Sequence, residues 1–186
     1  VTVDLGGGRR LTGSVPGVRG GTVAAASYSR LGPRHRLAGW IRLLALAAGD
    51  DEPWQAVTVG RYRRDRAEGS ILVPPPDPLT VLRDLVGLRD EGLCQPLPLP
   101  PAAAAAYAER RQRGDALTEA MAAAEAAYGG MYGDHTDRHL EYVFGTDGAW
   151  ERIGAEPGDG TEPTRFGSLA VRLWAPLLAA EQRRTA

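Results

Sequence analysis

Lysine is missing from this chain: all 22 basic residues are arginine. No lysine is therefore available as a nucleophile, a Schiff-base amine or a clamp on a phosphoryl group. Cysteine is almost missing too. Cys94 stands alone, which excludes a disulfide framework and a multi-cysteine metal cluster and suits a reducing compartment such as the cytoplasm. Its surroundings, Gly92-Leu93-Cys94-Gln95-Pro96, predict a small buried thiol. No stretch approaches the roughly 20 apolar residues of a membrane span, and no secretory leader is visible. Net charge of one sign is lacking as well. The formal value is -1, so attraction to nucleic acid or to an anionic membrane has to come from a local patch.

What is present begins with the stretch from Arg9 to Ala48. Leu11, Gly13 and Val15 alternate with Arg10, Thr12 and Ser14, the two-residue period of a strand. Pro16-Gly17 and Gly20-Gly21 supply turn chemistry, and Thr22 to Tyr28 reads as a second strand. Leu37, Trp40, Ile41, Leu44, Ala45 and Ala48 then recur at helical spacing. A hairpin feeding an amphipathic helix is the predicted nucleus.

The preceding segment, Val1 to Gly8, reads as a leading strand or as a loose edge of the chain; its triple glycine lacks the Lys-Ser or Lys-Thr of a phosphate loop. Beyond the nucleus, strands are expected at Trp54 to Val59 and Ser70 to Val73, and a helix starts at Asp77-Pro78 and stops near Gly92. The proline-rich crossing from Pro96 to Pro101 is extended. Alanine-rich helices at 102–113 and 116–128 follow, the second capped by Asp115. His135 and His139 are four apart, but His135 precedes the helix that Thr136 is expected to cap, and no third ligand has suitable spacing. No metal site and no cofactor site is predicted. Residues 150–162 read as a loop, Ser168 as the cap of a last helix kinked by Pro176, and 181–186 as a frayed end. No linker or repeat divides the chain, so 1–186 is expected to be a single domain; its start at Val1 suggests a fragment of a longer subunit.

One local cationic cluster stands out. The hairpin connection Gly60-Arg61-Tyr62-Arg63-Arg64-Asp65-Arg66-Ala67-Glu68-Gly69 mixes four arginines with an aromatic ring, a combination suited to phosphate contact and base stacking. A solvated hairpin tip whose charges block edge pairing accounts for the same residues. Arg61, Tyr62, Arg63, Arg64 and Arg66 are thus the candidate DNA- or partner-binding residues.

Leu11-Thr12-Gly13-Ser14-Val15-Pro16-Gly17-Val18, the helix around Trp40 with Leu43-Leu44-Ala45-Leu46, and the block from Asp77 to Tyr107 with Gln95-Pro96-Leu97-Pro98 resemble the C-terminal domain of the RecC family. Tyr142-Val143-Phe144-Gly145 and Leu173-Trp174-Ala175-Pro176-Leu177-Leu178 are similar to its closing motifs. RecC is the gamma subunit of exodeoxyribonuclease V, the RecBCD helicase-nuclease. The resemblance implies an α/β fold like that of restriction endonucleases and other PD-(D/E)XK nucleases: a mixed sheet flanked by helices, with additional C-terminal helices.

Active members of that fold carry a carboxylate after a Leu-x-Gly-x-(Ile/Val) strand and an acid-x-Lys triplet on the next one. Here the first position is Pro16, and Val23 to Ser29 holds neither acid nor lysine. The resemblance thus implies a non-catalytic domain with RecB and RecD as partners, acting in assembly and DNA strand handling in double-strand-break repair. Two rivals remain open: a metal-dependent DNA nuclease using displaced carboxylates such as Asp4 or Asp50-Asp51-Glu52, and a free-standing helical interaction module.

Overall fold

The computed structural model describes residues 1–63 and 66–185. Its contacts divide the chain into two compact units, Val1–Arg89 with Ala179–Ala186, and Asp90–Leu178. No loop marks the division, because both crossings lie inside continuous helices.

In the first unit, β1 (Thr2–Gly6) and β2 (Arg9–Thr12) form an antiparallel hairpin of their own around Gly7 and Gly8, both at positive φ. The expected pairing of the Leu11 strand with the Thr22 strand is not formed. β2 stops at Thr12, and the short β3 (Val18–Arg19) pairs instead with β4 (Thr22–Arg30). Pro16 has no N–H for a ladder, and Gly17 turns the chain at φ 78° so close to β4 that a Cβ there would lie 2.3 Å from the Ala24 carbonyl oxygen.

From β4 the chain crosses through α1 (Pro33–Ala47) to β5 (Gln55–Arg63), which lies parallel to β4. β6 (Arg66–Leu72) returns antiparallel. The segment expected to fray is a strand, β7 (Glu181–Thr185), antiparallel to β6. The result is a five-stranded mixed sheet in the order β3-β4-β5-β6-β7.

One sheet face carries the cross-strand row Val23, Ala56 and Leu72, all buried. Above it α1 buries Trp40, Leu43, Leu44 and Ala45. Ile41, expected on that stripe, is exposed, and Arg36 and Gly39 face inward in its place. Gly39 permits this approach, since a Cβ would meet Thr58 Oγ1 at 2.9 Å.

Arg36 explains both the rotation of α1 and the ordering of β7. Its Nε donates to the two Glu181 carboxylate oxygens at 2.9 and 3.1 Å, and its Nη2 donates to the same carboxylate. The Ser70 hydroxyl also donates to Glu181. The two charged side chains are only 3% and 4% exposed. Removing one partner strands the other charge in the interior, so Glu181→Ala is expected to cost about 3–5 kcal/mol in urea unfolding. The double replacement Arg36→Met with Glu181→Leu should recover most of that loss.

α2 (Pro78–Cys94) is capped as expected, with the Thr80 amide donating to Asp77 Oδ1 at 3.0 Å. Thr80 holds the Asp77 carboxyl below its ordinary range. The helix continues through Gly92, which leaves Cys94 on an exposed last turn rather than buried.

In the second unit, α3 (Pro101–Gln112) and α4 (Leu117–Tyr128) pack through buried Ala103, Ala104, Ala108, Ala120 and Ala124. In the strap before α3, Pro98 and Pro100 are buried and the two leucines half-buried. Pro100 offers α3 no side-chain cap. Asp134, in the 3-10 turn Asp134–Thr136, supplies one from a distance by accepting from the Ala102 and Ala103 amides, both at 2.8 Å.

Other caps also differ from expectation. Glu119, not Asp115, accepts from the Ala116 amide at the start of α4, because Asp115 pairs with Arg110. Asp137, not Thr136, caps α5 (Arg138–Phe144). The stretch read as a loop contains α6 (Ala149–Gly154), which buries Ala149 and Ile153. α7 (Arg165–Ala180) begins beside Thr164, whose hydroxyl accepts from the Gly167 amide at 3.1 Å; Ser168 instead donates to Asp159.

Tyr107 donates to buried Glu162 at 2.7 Å, and Arg111 Nε donates to the other oxygen of that carboxylate at 3.0 Å. Burial, with the adjacent carboxylate second, holds the Tyr107 phenol far above its ordinary range, and burial shifts Tyr128 the same way. A folded phenol that keeps its proton while the unfolded one ionises near about pH 10 makes stability fall as pH rises past that value. Tyr107→Phe is expected to flatten this alkaline decline and to cost about 1–3 kcal/mol at neutral pH, both read by urea unfolding.

Candidate interface on the open face of the sheet

The cross-strand register defines the sheet face opposite α1. Ala24, Val57, Ile71 and Gln182 form one row, and Ala26, Val59, Gly69 and Arg184 form the next. Arg30, Arg61 and Ala67 make a third, beyond a break in the β4–β5 register. Arg19 and Thr22 lie at the other end. Tyr28 stands between Ala26 and Arg30, fully exposed at 101%. Val59 is 38% exposed, and Ala24, Ala26 and Ala67 are exposed as well.

This face therefore has a flat aliphatic centre and an arginine border. Among the described residues no acid lies in its rows. Arg30 and Arg61 are direct cross-strand partners. Like charges so placed repel, and an anion relieves the repulsion.

The sequence-predicted hairpin residues are distributed unevenly over this geometry. Arg61 is exposed on the open face, opposite Ala67. Alternation along β6 puts Arg66 on the other side, with Glu68 and Ser70. Tyr62 is half-buried. Arg63 ends β5, and Arg64 lies outside the described residues. Arg30 and Arg184, absent from the sequence-based set, join Arg61 through strand pairing. Their signal is invisible locally, since each comes from a strand remote in sequence.

The face toward α1 offers little for metal chemistry. Glu181 is held by Arg36, and Glu68 by Arg183. Asp4 accepts from the Gly6 amide, and Asp50 from the Glu52 amide and the Trp54 indole. Pro16 is an exposed turn residue ahead of β3, and β4 carries alanine, serine and tyrosine through its middle. Among the described residues no three His, Cys, Asp or Glu side chains gather as metal ligands. His135 bonds the Tyr128 carbonyl through Nδ1 at 2.9 Å.

A hydroxyl–imidazole contact exists where β4 meets α1, with Ser29 Oγ 3.4 Å from His35 Nε2. The Gly32 amide donates to His35 Nδ1 at 3.2 Å, so in the neutral ring the proton sits on Nε2. That nitrogen donates to Ser29 and cannot deprotonate it.

Residues 1–112 match the family model for the RecC C-terminal domain. The chain belongs to the RecC family. It is 41% identical to RecBCD enzyme subunit RecC of Mycobacterium tuberculosis (strain ATCC 25618 / H37Rv) over 188 positions, which is 97% of this chain and 17% of that protein. It is 42% identical to RecBCD enzyme subunit RecC of Mycolicibacterium smegmatis over 191 positions, 98% of this chain and 17% of the relative. The chain thus spans about a sixth of the length of the RecC proteins it matches. No helix among its described residues is long and apolar enough to cross a membrane.

The open-face arginines are exposed and have no partner among the described residues, so they are expected to add little to fold stability. Arg30→Ala, Arg61→Ala and Arg184→Ala are each expected to change stability by less than about 0.5 kcal/mol in urea unfolding. A larger loss would mean that they serve the fold rather than an interface.

Proposed function

We propose that this chain is a non-catalytic domain of PD-(D/E)XK nuclease type. Residues 1–186 act as one functional piece of a cytoplasmic RecC subunit, in assembly with RecB and RecD and in handling DNA strands during double-strand-break repair. The observation that carries this reading is the chemistry of the strand pair where such a nuclease holds its cation. Phosphodiester hydrolysis there needs hard oxygen ligands and a means of generating hydroxide. Pro16 stands at the first position and Val23 to Ser29 at the second, with no carboxylate in either and no lysine in the chain. The acids facing α1 are already neutralised by arginine. The β4–α1–β5 crossover with an added antiparallel hairpin supports a nuclease-like scaffold kept for its shape.

Two measurements test the reading. The purified chain is expected to leave single- and double-stranded DNA intact with Mg²⁺ or Mn²⁺, and cleavage abolished by EDTA would replace the proposal with a displaced-carboxylate nuclease. RecB and RecD are expected to co-purify with a RecC subunit that carries this segment and to be lost when it is deleted. Retention of both partners without the segment would remove the assembly role.

A further inference from the structure

The sheet of the first unit is covered by α1 on one face; on the other Ala24, Ala26, Tyr28, Val59 and Ala67 are exposed and Val57 and Ile71 half-buried. We propose that this open face receives an amphipathic, acid-flanked helix from a partner subunit of the assembled complex. This rests on the assembly reading given above and names the surface and the chemistry of its occupant.

An apolar sheet face is normally covered by another layer, and a contiguous exposed apolar patch marks an interaction site. The centre here is aliphatic: Val57, Val59 and Ile71 on β5 and β6, with Ala24, Ala26 and Gly69 beside them. The alanines and the glycine offer at most a methyl group, so a shallow trough runs where a helix can lie close to the backbone. Four strands spaced at about 4.8 Å span roughly 15 Å, wide enough for one helix of about 10 Å diameter.

The border fixes the charge of that helix. Arg30, Arg61 and Arg184 lie at the edges of the aliphatic rows, Arg19 lies at the far end, and no acid is present in those rows among the described residues. An apolar centre, an arginine rim and an exposed tyrosine are the composition of a protein interface. A single-stranded nucleic acid would ask for several rings to stack on and for cations along one track. This face has one ring, Tyr28, and its cations stand around the edge. Glutamates or aspartates on both flanks of an apolar helix stripe would meet them and relieve the Arg30–Arg61 repulsion.

The test uses the RecC subunit carrying this chain, assembled with RecB and RecD. A photoreactive p-benzoylphenylalanine placed at position 28 is irradiated in the complex, and the cross-linked peptide is identified by mass spectrometry. The expected product joins position 28 to a helical segment of a partner subunit with acids flanking an apolar stripe. In parallel, Val59→Glu and Arg61→Glu should each weaken partner association at least about tenfold while leaving the melting temperature of the isolated chain unchanged. Cross-linking to DNA, to RecC itself or to nothing in the assembled complex overturns the proposal, as does full association of both variants. Failure of the unmodified subunit to bind RecB or RecD would instead overturn the assembly reading, so the two failures are distinguishable.

Discussion

The first unit depends on one buried ion pair. Arg36 extends from α1 beneath the sheet to Glu181 on β7, and both charges are withdrawn from water. Such a pair adds little over a well-packed apolar pair, because desolvation consumes much of the Coulomb attraction. Its value is positional. A guanidinium that has left water must find its carboxylate, so α1 can take only the rotation that points Arg36 at β7. That rotation sends Ile41 outward and brings Gly39 against Thr58. β7 in turn is held on β6 by more than a backbone ladder, with Ser70 and Glu68 each tied to one of its side chains.

The same arrangement sets the chemistry of the two faces. On the inner face polar groups are present, but each carboxylate has an arginine counter-ion, so the charge that would attract a divalent cation is already cancelled. On the outer face the arginines have no counter-ions among the described residues and border an aliphatic centre. The surface with uncompensated charge among the described residues is the one facing away from α1, and its uncompensated sign is positive.

Much of this was legible from the residues alone. Period-two alternation located the first part of β5, helical spacing located α1 and α7, and Asp77-Pro78 marked the start of α2, whereas 60–69, read as a connection, belongs largely to β5 and β6. What was not legible arises from contacts between segments distant in sequence. Glu181-Gln182-Arg183-Arg184-Thr185 has neither apolar alternation nor strong strand formers, and it becomes a strand because β6 offers an edge and Arg36 a counter-charge. Asp134 caps α3 across more than 30 residues. Cys94 is exposed because α2 runs past Gly92, which local propensity marked as a stop. The two-unit division left no mark either, since a boundary inside a helix has no linker composition to betray it.

The candidate interface illustrates the same limit. Four arginines in six residues are easy to notice, yet alternation sends Arg61 and Arg66 to opposite faces. The arginines that do share a face with Arg61 come from β4 and β7, one reached through a parallel crossover and the other through the closing strand. Arg30 reaches this face through the β4–β5 ladder alone, whereas Arg184 reaches it only because β7 docks on β6. The buried Arg36–Glu181 pair on one side of the sheet, with the Glu68–Arg183 pair and the β6 ladder, thus helps to set the charge pattern at the β7 edge of the other.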